Sequence, residues 1–261
     1  MGTSLAIRST IPNCGKSVLS FLLACRLSQI LKQDMSILLC CACMQERDVI
    51  DMIGNIQGYP TLEDLVNAET TSVNKDADIK SLLYNSRNIF FIDSSKATPL
   101  FVKNNVVKYL KLIEYLKQQF DVIIIDTSSD SANILTKLVL KKCDYTLNVT
   151  VEDMERLHKS LFADTRNLAY IINRYDNNIY PGKKELSKLL KTKELFTLPY
   201  CSQLQEMKNQ KQLNRYSELE TDYLKGIDKL VDFLSKTLDL PKEERKTNRR
   251  FIQFLKKGDA K

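Results

Sequence analysis

The sequence predicts a doubly wound α/β fold: a mainly parallel sheet flanked by helices, followed by a basic C-terminal tail. Three observations lead there. Short, apolar, β-branched runs alternate with helical patterns along the whole chain. Several of these runs are apolar at consecutive positions, not alternate ones, as in strands buried on both faces of a parallel sheet. The chain has 261 residues, 43% hydrophobic and 27% charged, which is length and balance enough for one sizeable core.

The elements follow in order. "SLAIRS" (4–9) is the first strand, and "KSVLSFLLACRLSQIL" opens a helix over about 16–32. "SILLCCAC" (36–43), "NIFFIDS" (88–94) and "DVIIIDT" (121–127) are the next strands, with helices over about 61–67, 78–85 and 103–119 between them. "YTLNVTV" (145–151), "LAYIINR" (168–174) and "LFTLP" (195–199) complete the strand set. Helices over about 131–142, 153–163, 183–191, 203–209 and 217–238 fill the rest. The polar stretch 69–79 reads as a loose connection. Pro241 closes the last helix, so the α/β domain is expected over 1–240 and the tail over 241–261.

Charge sharpens that boundary. The chain carries a net +7, and residues 242–261 hold eight Lys/Arg against three acids, a net +5. Within the tail, "NRRFIQFLKK" (248–257) gathers Phe251, Ile252, Phe254 and Leu255 into a helical arc of roughly 160°. Arg249, Arg250, Lys256 and Lys257 flank it. That is the composition of a short interfacial helix for an anionic membrane surface. Docking on the protein's own domain and a solvated tail are the alternatives. Non-specific DNA contact is a rival use of the same charge, which the two phenylalanines argue against.

Composition also excludes classes. No stretch approaches the ~18 uninterrupted apolar residues of a membrane span. No basic-then-apolar leader precedes the strand-like residues beginning at Ser4. Seven cysteines without regular spacing read as reduced thiols, so a cytoplasmic location is expected, with peripheral attachment to the inner membrane face if the tail binds lipid. Cys40, Cys41 and Cys43 lack a paired C-x-x-C or a histidine cluster, His158 being the single histidine, and read as buried strand thiols.

The chemistry lies in "TIPNCGKSVL", between the first strand and the first helix. A strand, a loop of about six residues and a helix opening on Gly-Lys-Ser present backbone N–H groups and a helix N-terminus to phosphates. Lys16 would reach the β- and γ-phosphates, the Ser17 hydroxyl would ligate Mg²⁺, and Gly15 permits close backbone approach. The plain alternative is a strand-to-helix turn in which Ser17 helps to cap the helix. The loop residues Asn13, Cys14, Gly15, Lys16, Ser17 and Val18 are thus the candidate set for ATP or ADP. In "FDVIIIDTSSD" the buried strand ends in Asp126 at the sheet's C-terminal edge, where a carboxylate can hold a Mg²⁺-bound water and serve catalysis. A strand-terminal Asp is also a common turn former.

Together these motifs resemble the MinD/ParA group of P-loop ATPases, over most of residues 4–238. The family's deviant loop reads K-G-G-x-G-K-[ST], against "IPNCGKS" here. "FDVIIIDTSSD" is similar to its strand ending D-[ST]-x-x. "PTLEDLVNAE" (60–69) resembles its segment after the second strand, and "LPYCSQLQEMKNQKQL" (198–213) its proline-led segment after the last. "LAYIINRYD" resembles the strand whose Asn-Arg pair lies near the adenine, which makes Asn173 and Arg174 base-side candidates. Within the group the match is best to the pilus-positioning CpaE/TadZ-like branch, and the tail resembles the membrane-targeting segment of MinD.

Three departures bear on catalysis. The family's signature lysine, which reaches across a dimer to the partner's phosphates, is Ile11. Its glycines are Pro12 and Asn13, and proline removes one N–H donor. The D-x-D that ends its second strand is matched by "CAC", with Cys41 and Cys43 in place of carboxylates. Asp48 and Asp51 are the nearby acids. The resemblance implies a nucleotide-dependent homodimer that positions a membrane-associated assembly, a pilus, secretion or division-type partner. The departures imply weak ATPase activity or none. A non-hydrolysing scaffold and a DNA-binding partition ATPase are the rival readings.

Overall fold

The computed structural model describes residues 1–44, 48–54, 58–68, 79–86, 88–159, 166–218 and 221–243. Its centre is an eight-stranded sheet. In chain order the strands are β1 (Thr3–Arg8), β2 (Ile37–Ala42), β3 (Tyr84–Ser86), β4 (Ile89–Asp93), β5 (Val122–Thr127), β6 (Tyr145–Val151), β7 (Asn167–Tyr175) and β8 (Leu195–Pro199). They lie side by side as β3-β4-β2-β5-β1-β6-β7-β8. Every pairing is parallel except β3 with β4. All seven strands expected from the apolar runs are present. The eighth, β3, is the short polar segment Tyr-Asn-Ser, which carries no apolar pattern.

The helices are α1 (Lys16–Ile30), α2 (Asp48–Ile53), α3 (Leu62–Asn67), α4 (Ile79–Leu82), α5 (Pro99–Asn104), α6 (Val106–Gln119), α7 (Ile134–Lys142), α8 (Met154–Lys159), α9 (Lys183–Leu189), α10 (Ser202–Asn209) and α11 (Asp222–Thr237), with a 3₁₀ turn at Leu213–Glu218. Several begin where a side chain satisfies the orphan N–H groups of a first turn. Thr61 and Asp64 form a reciprocal capping box on α3. Thr98 caps α5 with Pro99 behind it, so the single helix expected over 103–119 is two helices meeting at Asn105. Asn133 caps α7 and Thr221 caps α11.

Both faces of the sheet are covered. On one face Leu5, Ile7, Leu39, Ile124, Leu147 and Ile171 pack against α1, α2, α10 and α11. On the other, Ala6, Leu38, Cys40, Ile123 and Ile125 meet α3 to α7, and Tyr170, Ile172 and Leu195 meet α8 and α9. Burial on two faces is why the strands read as unbroken apolar runs. α11 buries Tyr223, Leu224, Ile227, Leu230, Val231 and Leu234, a spacing of three and four that lays one stripe on the sheet. Among the described residues no helix is long and apolar enough to cross a membrane.

Beyond α11 the chain turns back onto the domain. Lys242 bridges antiparallel to Leu31, the Glu243 N–H donates to the Ile30 carbonyl at 2.9 Å, and Lys242 Nζ meets Asp232 at 2.9 Å. The amphipathic stretch 248–257 lies outside the described residues.

Candidate functional site

Strand β1 runs between β5 and β6, at the centre of the sheet. Connections leave it in opposite directions on its two sides, so a crevice opens above its C-terminal end. Residues 9–15 fill that position and lead into α1. Ser9 Oγ accepts from the Ile11 N–H at 3.0 Å and closes the first turn. Pro12 and Asn13 are exposed at the tip. Asn13 (φ 57°) and Gly15 (φ 91°) are both left-handed, which curls the loop around its own backbone. Gly15 is the N-cap of α1 and supplies no side-chain cap. The first turn carries no acid, and its N–H groups face the crevice with the positive end of a 15-residue helix. Gly15 is also required by space: a Cβ there would overlap the Asn173 side-chain amide.

Lys16 is only 8% exposed. Its Nζ donates to Ser129 Oγ, and Ser129 donates to the Ile11 carbonyl at 3.0 Å. Among the described residues no carboxylate reaches ion-pair distance of Lys16. Ser17 and Val18 are half-buried in the first turn of α1. Asp126 is fully buried near the end of β5, in register with Ile7 of β1 on one side and Cys41 of β2 on the other. It therefore stands one strand spacing, ~4.8 Å, from the strand that feeds the loop. Cys43 Sγ lies 3.6 Å from the Asp126 carbonyl oxygen and 4.0 Å from Oδ2.

The pair from β7 reaches the loop from across β6. Asn173 Nδ2 donates to the Cys14 carbonyl at 2.8 Å, and its Oδ1 accepts the Arg174 N–H at 3.1 Å. Arg174, left-handed at φ 58°, donates from its guanidinium to the Asn13 carbonyl at 3.1 Å. The two residues expected beside a base thus hold the two loop carbonyls. Tyr223 of α11 stands behind them. Burial pushes its hydroxyl pKa up, and a hydrogen bond with Asn173 pulls the other way. Nothing in the sequence marks Tyr223, an apolar-face position of an amphipathic helix. Val18, Asn173, Tyr200, Leu204, Gln205, Lys208 and Tyr223 line a shallow cleft of about 50 Å³. That is far below the ~300 Å³ of an ordinary ligand pocket, so it is a shelf and not an enclosed pocket.

The departures have structural counterparts. Ile11 is 4% exposed and packs in the core cluster with Cys14 and Cys41, facing away from solvent. Burial, and then the Asp126 charge, hold the Cys41 thiol well above the ordinary thiol range, so it is neutral. Asp51 is exposed on α2. A second buried acid, Asp93, the last residue of β4, stands level with Cys41 on the side opposite Asp126. Its signal in the sequence is the Asp-Ser that closes "NIFFIDS", the counterpart of the Asp-Thr that closes "DVIIIDT". Asp93 accepts from the Tyr59 hydroxyl at 2.6 Å and from Ser95 N–H and Oγ at 2.9 and 2.7 Å, so its carboxylate is engaged in structural bonds.

No protein-family model matches the sequence, and no curated protein matches it. Solved structures do. A ParA family ATPase from Chlorobium tepidum is 20% identical, with a TM-score of 0.72 over 88% of this chain and 99% of that one. The cell division ATPase MinD of Pyrococcus furiosus is 18% identical, with a TM-score of 0.73 over 91% and 100%. The septum site-determining protein MinD of Pyrococcus horikoshii, in complex with Mg-ADP, is 17% identical, with a TM-score of 0.70 over 91% and 98%. The chain has the fold of the MinD/ParA P-loop ATPases.

Proposed function

We propose that the protein is a nucleotide-binding switch of the MinD/ParA kind, taking ATP or ADP with Mg²⁺ and turning ATP over slowly or not at all. The surroundings of Lys16 carry this reading. A nearly buried ammonium at a helix N-terminus, met by a hydroxyl and by no described carboxylate, is costly unless an anion matches it. A polyphosphate does so, with the α1 N–H groups as further donors. The donor set also fits the metal. The Ser17 hydroxyl and Asp126 carboxylate are hard oxygen groups suited to Mg²⁺, whereas the neighbouring thiols are not. Bound there, Mg²⁺ would offset phosphate charge. The chain's own residues do the rest: Lys16 holds the terminal phosphates, Gly15 lets the backbone approach, and Asn173 and Arg174 fix the loop through its carbonyls.

Slow turnover follows from what the crevice lacks. Ile11 supplies no cation, and the Cys41 thiol is neutral where the family has an acid. Phosphoryl transfer rests on positioning and charge stabilisation, so both losses fall on the chemical step. A nucleotide-dependent homodimer is supported by Met154, Ile179, Tyr180 and Tyr200. These are exposed apolar residues on the segments that follow β6, β7 and β8, along the same sheet edge as the loop. The basic segment 248–257 would attach that dimer to an anionic membrane, where it positions a pilus, secretion or division-type assembly.

The test is an ATP and ADP titration with and without Mg²⁺. Lys16→Ala is expected to weaken binding by an order of magnitude or more, as losing a charge-assisted contact of ~2 kcal/mol implies. Superimposable curves for wild type and variant would sink the reading and leave a scaffold on the same fold.

A further inference from the structure

We propose that the outer edge of β8 is a docking site for an extended acidic segment of a partner protein, which adds to the sheet as a further strand. The two ends of the sheet differ. At one end β3 closes the sheet with three polar residues running antiparallel. At the other, β8 has five residues, and among the described residues no strand pairs with its outer side. The Tyr170 N–H donates to the Glu194 carbonyl at 3.0 Å, so Glu194 faces β7. By the alternation of a parallel ladder, Phe196 and Leu198 face β7 too, and the N–H and C=O of Leu195 and Thr197 point outward. Such a row of outward groups is a template for strand addition.

The surroundings select the occupant. The edge forms the floor of a trough of about 230 Å³. One wall is α11, which Gly226 lets close in: a Cβ there would come within 2.6 Å of Leu198 Cδ2 and 3.4 Å of the Thr197 carbonyl oxygen. The other wall is the start of α9. Lys225 and Lys229 line the trough from α11 and Lys183 from α9, all exposed. Asp222 is the acid in the lining, and Lys225 engages it at 2.8 Å. The strand edge is thus bracketed by cations on both faces of the sheet. An added strand sends alternate side chains to those two faces, so acidic residues are matched whichever way they project. A second copy of β8 would bring two sets of lysines together, and the chain's own basic tail would repeat the sign. Both are disfavoured against an acidic partner.

The experiment uses fluorescence anisotropy of a labelled, alternating Glu–Val octapeptide with the full chain at about 50 mM salt, where screening is weak. Binding is expected, at least tenfold tighter than for the Gln–Val counterpart and lost in Lys183→Glu/Lys229→Glu. Thr197→Pro, which removes an outward N–H at an edge position that tolerates proline, is expected to weaken binding about fivefold. A Glu–Val peptide methylated on alternate backbone nitrogens should lose binding in the same way, and that arm does not depend on how a variant folds. No binding of the Glu–Val peptide overturns the proposal. So does charge-dependent binding that both Thr197→Pro and backbone methylation leave intact, because the trough is then a polyanion patch open equally to nucleic acid. Self-association of the charge-reversed variant without peptide binding by wild type also overturns it, the lysines then serving to guard the edge.

Discussion

Lys16 and Ser129 are joined by a hydrogen bond from the ammonium to the hydroxyl, and Ser129 passes the link on to the Ile11 carbonyl at 3.0 Å. The lysine that opens α1, the loop after β5 and the loop after β1 are therefore one connected unit. Ser129→Ala leaves the Ile11 carbonyl without this donor and Lys16 without its hydroxyl. The expected outcome is a loss of about 1 kcal/mol of stability in the nucleotide-free protein. Saturating ADP should narrow the gap, because phosphate then takes the ammonium. Thermal melts with and without ADP measure both. An equal loss in the two states would mean that nucleotide does not touch this unit.

Gly15 answers two demands, a left-handed φ of 91° and the space occupied by the Asn173 amide. Alanine satisfies neither. Gly15→Ala is expected to destabilise by about 1–3 kcal/mol through backbone strain and displacement of the amide. Asn173→Asp keeps the volume but sets a carboxylate oxygen against the Cys14 carbonyl in place of the 2.8 Å hydrogen bond. It should cost a similar amount and weaken nucleotide binding alongside. Denaturant titration gives the first number and calorimetry the second. Wild-type affinity in Asn173→Asp would release that residue from the site.

Placing an acid at position 41 is not expected to raise ATP turnover. Cys41 is 1% exposed, in the core cluster with Ile11 and Cys14, and in register with Asp126 on one side and Asp93 on the other. Cys41→Asp buries a carboxylate between two others. The expected result is a loss of more than ~2 kcal/mol in stability with no gain in ATP turnover. A variant that folds as well as wild type and hydrolyses ATP at ~10 s⁻¹, an ordinary enzyme rate, would show that only the missing acid limits catalysis.

What the sequence made legible is what local pattern can carry. Burial on two faces writes itself as consecutive apolar residues, so "DVIIIDT" and "SILLCCAC" were readable as strands. β3 lacks that pattern because Asn85 and Ser86 are exposed. That Lys16 and Ser17 open a helix after a short loop was legible because strand, loop and helix are contiguous in the chain. The contacts that shape it are not contiguous. The hydrogen bond from Asn173 to Cys14 spans 159 positions and that from Lys16 to Ser129 spans 113. Ile11 was readable as a missing lysine, but its place in the core depends on a cluster it shares with Cys41 of β2. Tyr223 and Asp93 were hidden for the same reason: each looks like an ordinary helix or strand residue until the sheet sets it beside its partners.

A buried acid away from the crevice supplies a pH test. Glu63 is 3% exposed, accepts the Tyr109 hydroxyl at 2.7 Å, and has its pKa raised by burial, with the Asp93 charge adding a little and hydrogen bonds opposing. A carboxyl whose folded pKa exceeds its unfolded one binds more protons in the folded state between the two. Stability therefore falls as pH rises above about 4.5, the unfolded value, and the loss is complete once pH passes the folded pKa. Glu63→Gln imitates the protonated form. It should leave the melting temperature unchanged near pH 4.5 and raise it at pH 7–8. A melting temperature unchanged near pH 4.5 but lowered at pH 7–8 would show that the ionised carboxylate stabilises this site.

The tail can be tested without disturbing the domain, because the residues just after α11 are part of it. Lys242 bridges to Leu31, and the Glu243 N–H donates to Ile30. Truncation after Leu240 would remove those contacts, whereas truncation after Glu243 keeps them. The segment 248–257 offers two phenylalanines, an isoleucine and a leucine, at ~1.5–3 kcal/mol each for full burial. Interfacial burial is shallower, and ordering a short helix costs part of the gain. Attachment by a single chain should therefore be marginal, and two tails on one dimer should bind far better through effective concentration. Nucleotide would then govern membrane binding through dimerisation alone, with no contact between the tail and the phosphate loop. Sedimentation with anionic and neutral vesicles checks this in wild type, in the chain ending at Glu243, and in Phe251→Glu/Phe254→Glu. Pelleting with anionic vesicles is expected in ATP, lost in both variants and reduced by salt. Undiminished pelleting of the truncated chain would move the membrane contact onto the folded domain. Binding to duplex DNA that is indifferent to the two phenylalanines would assign the tail's charge to nucleic acid instead.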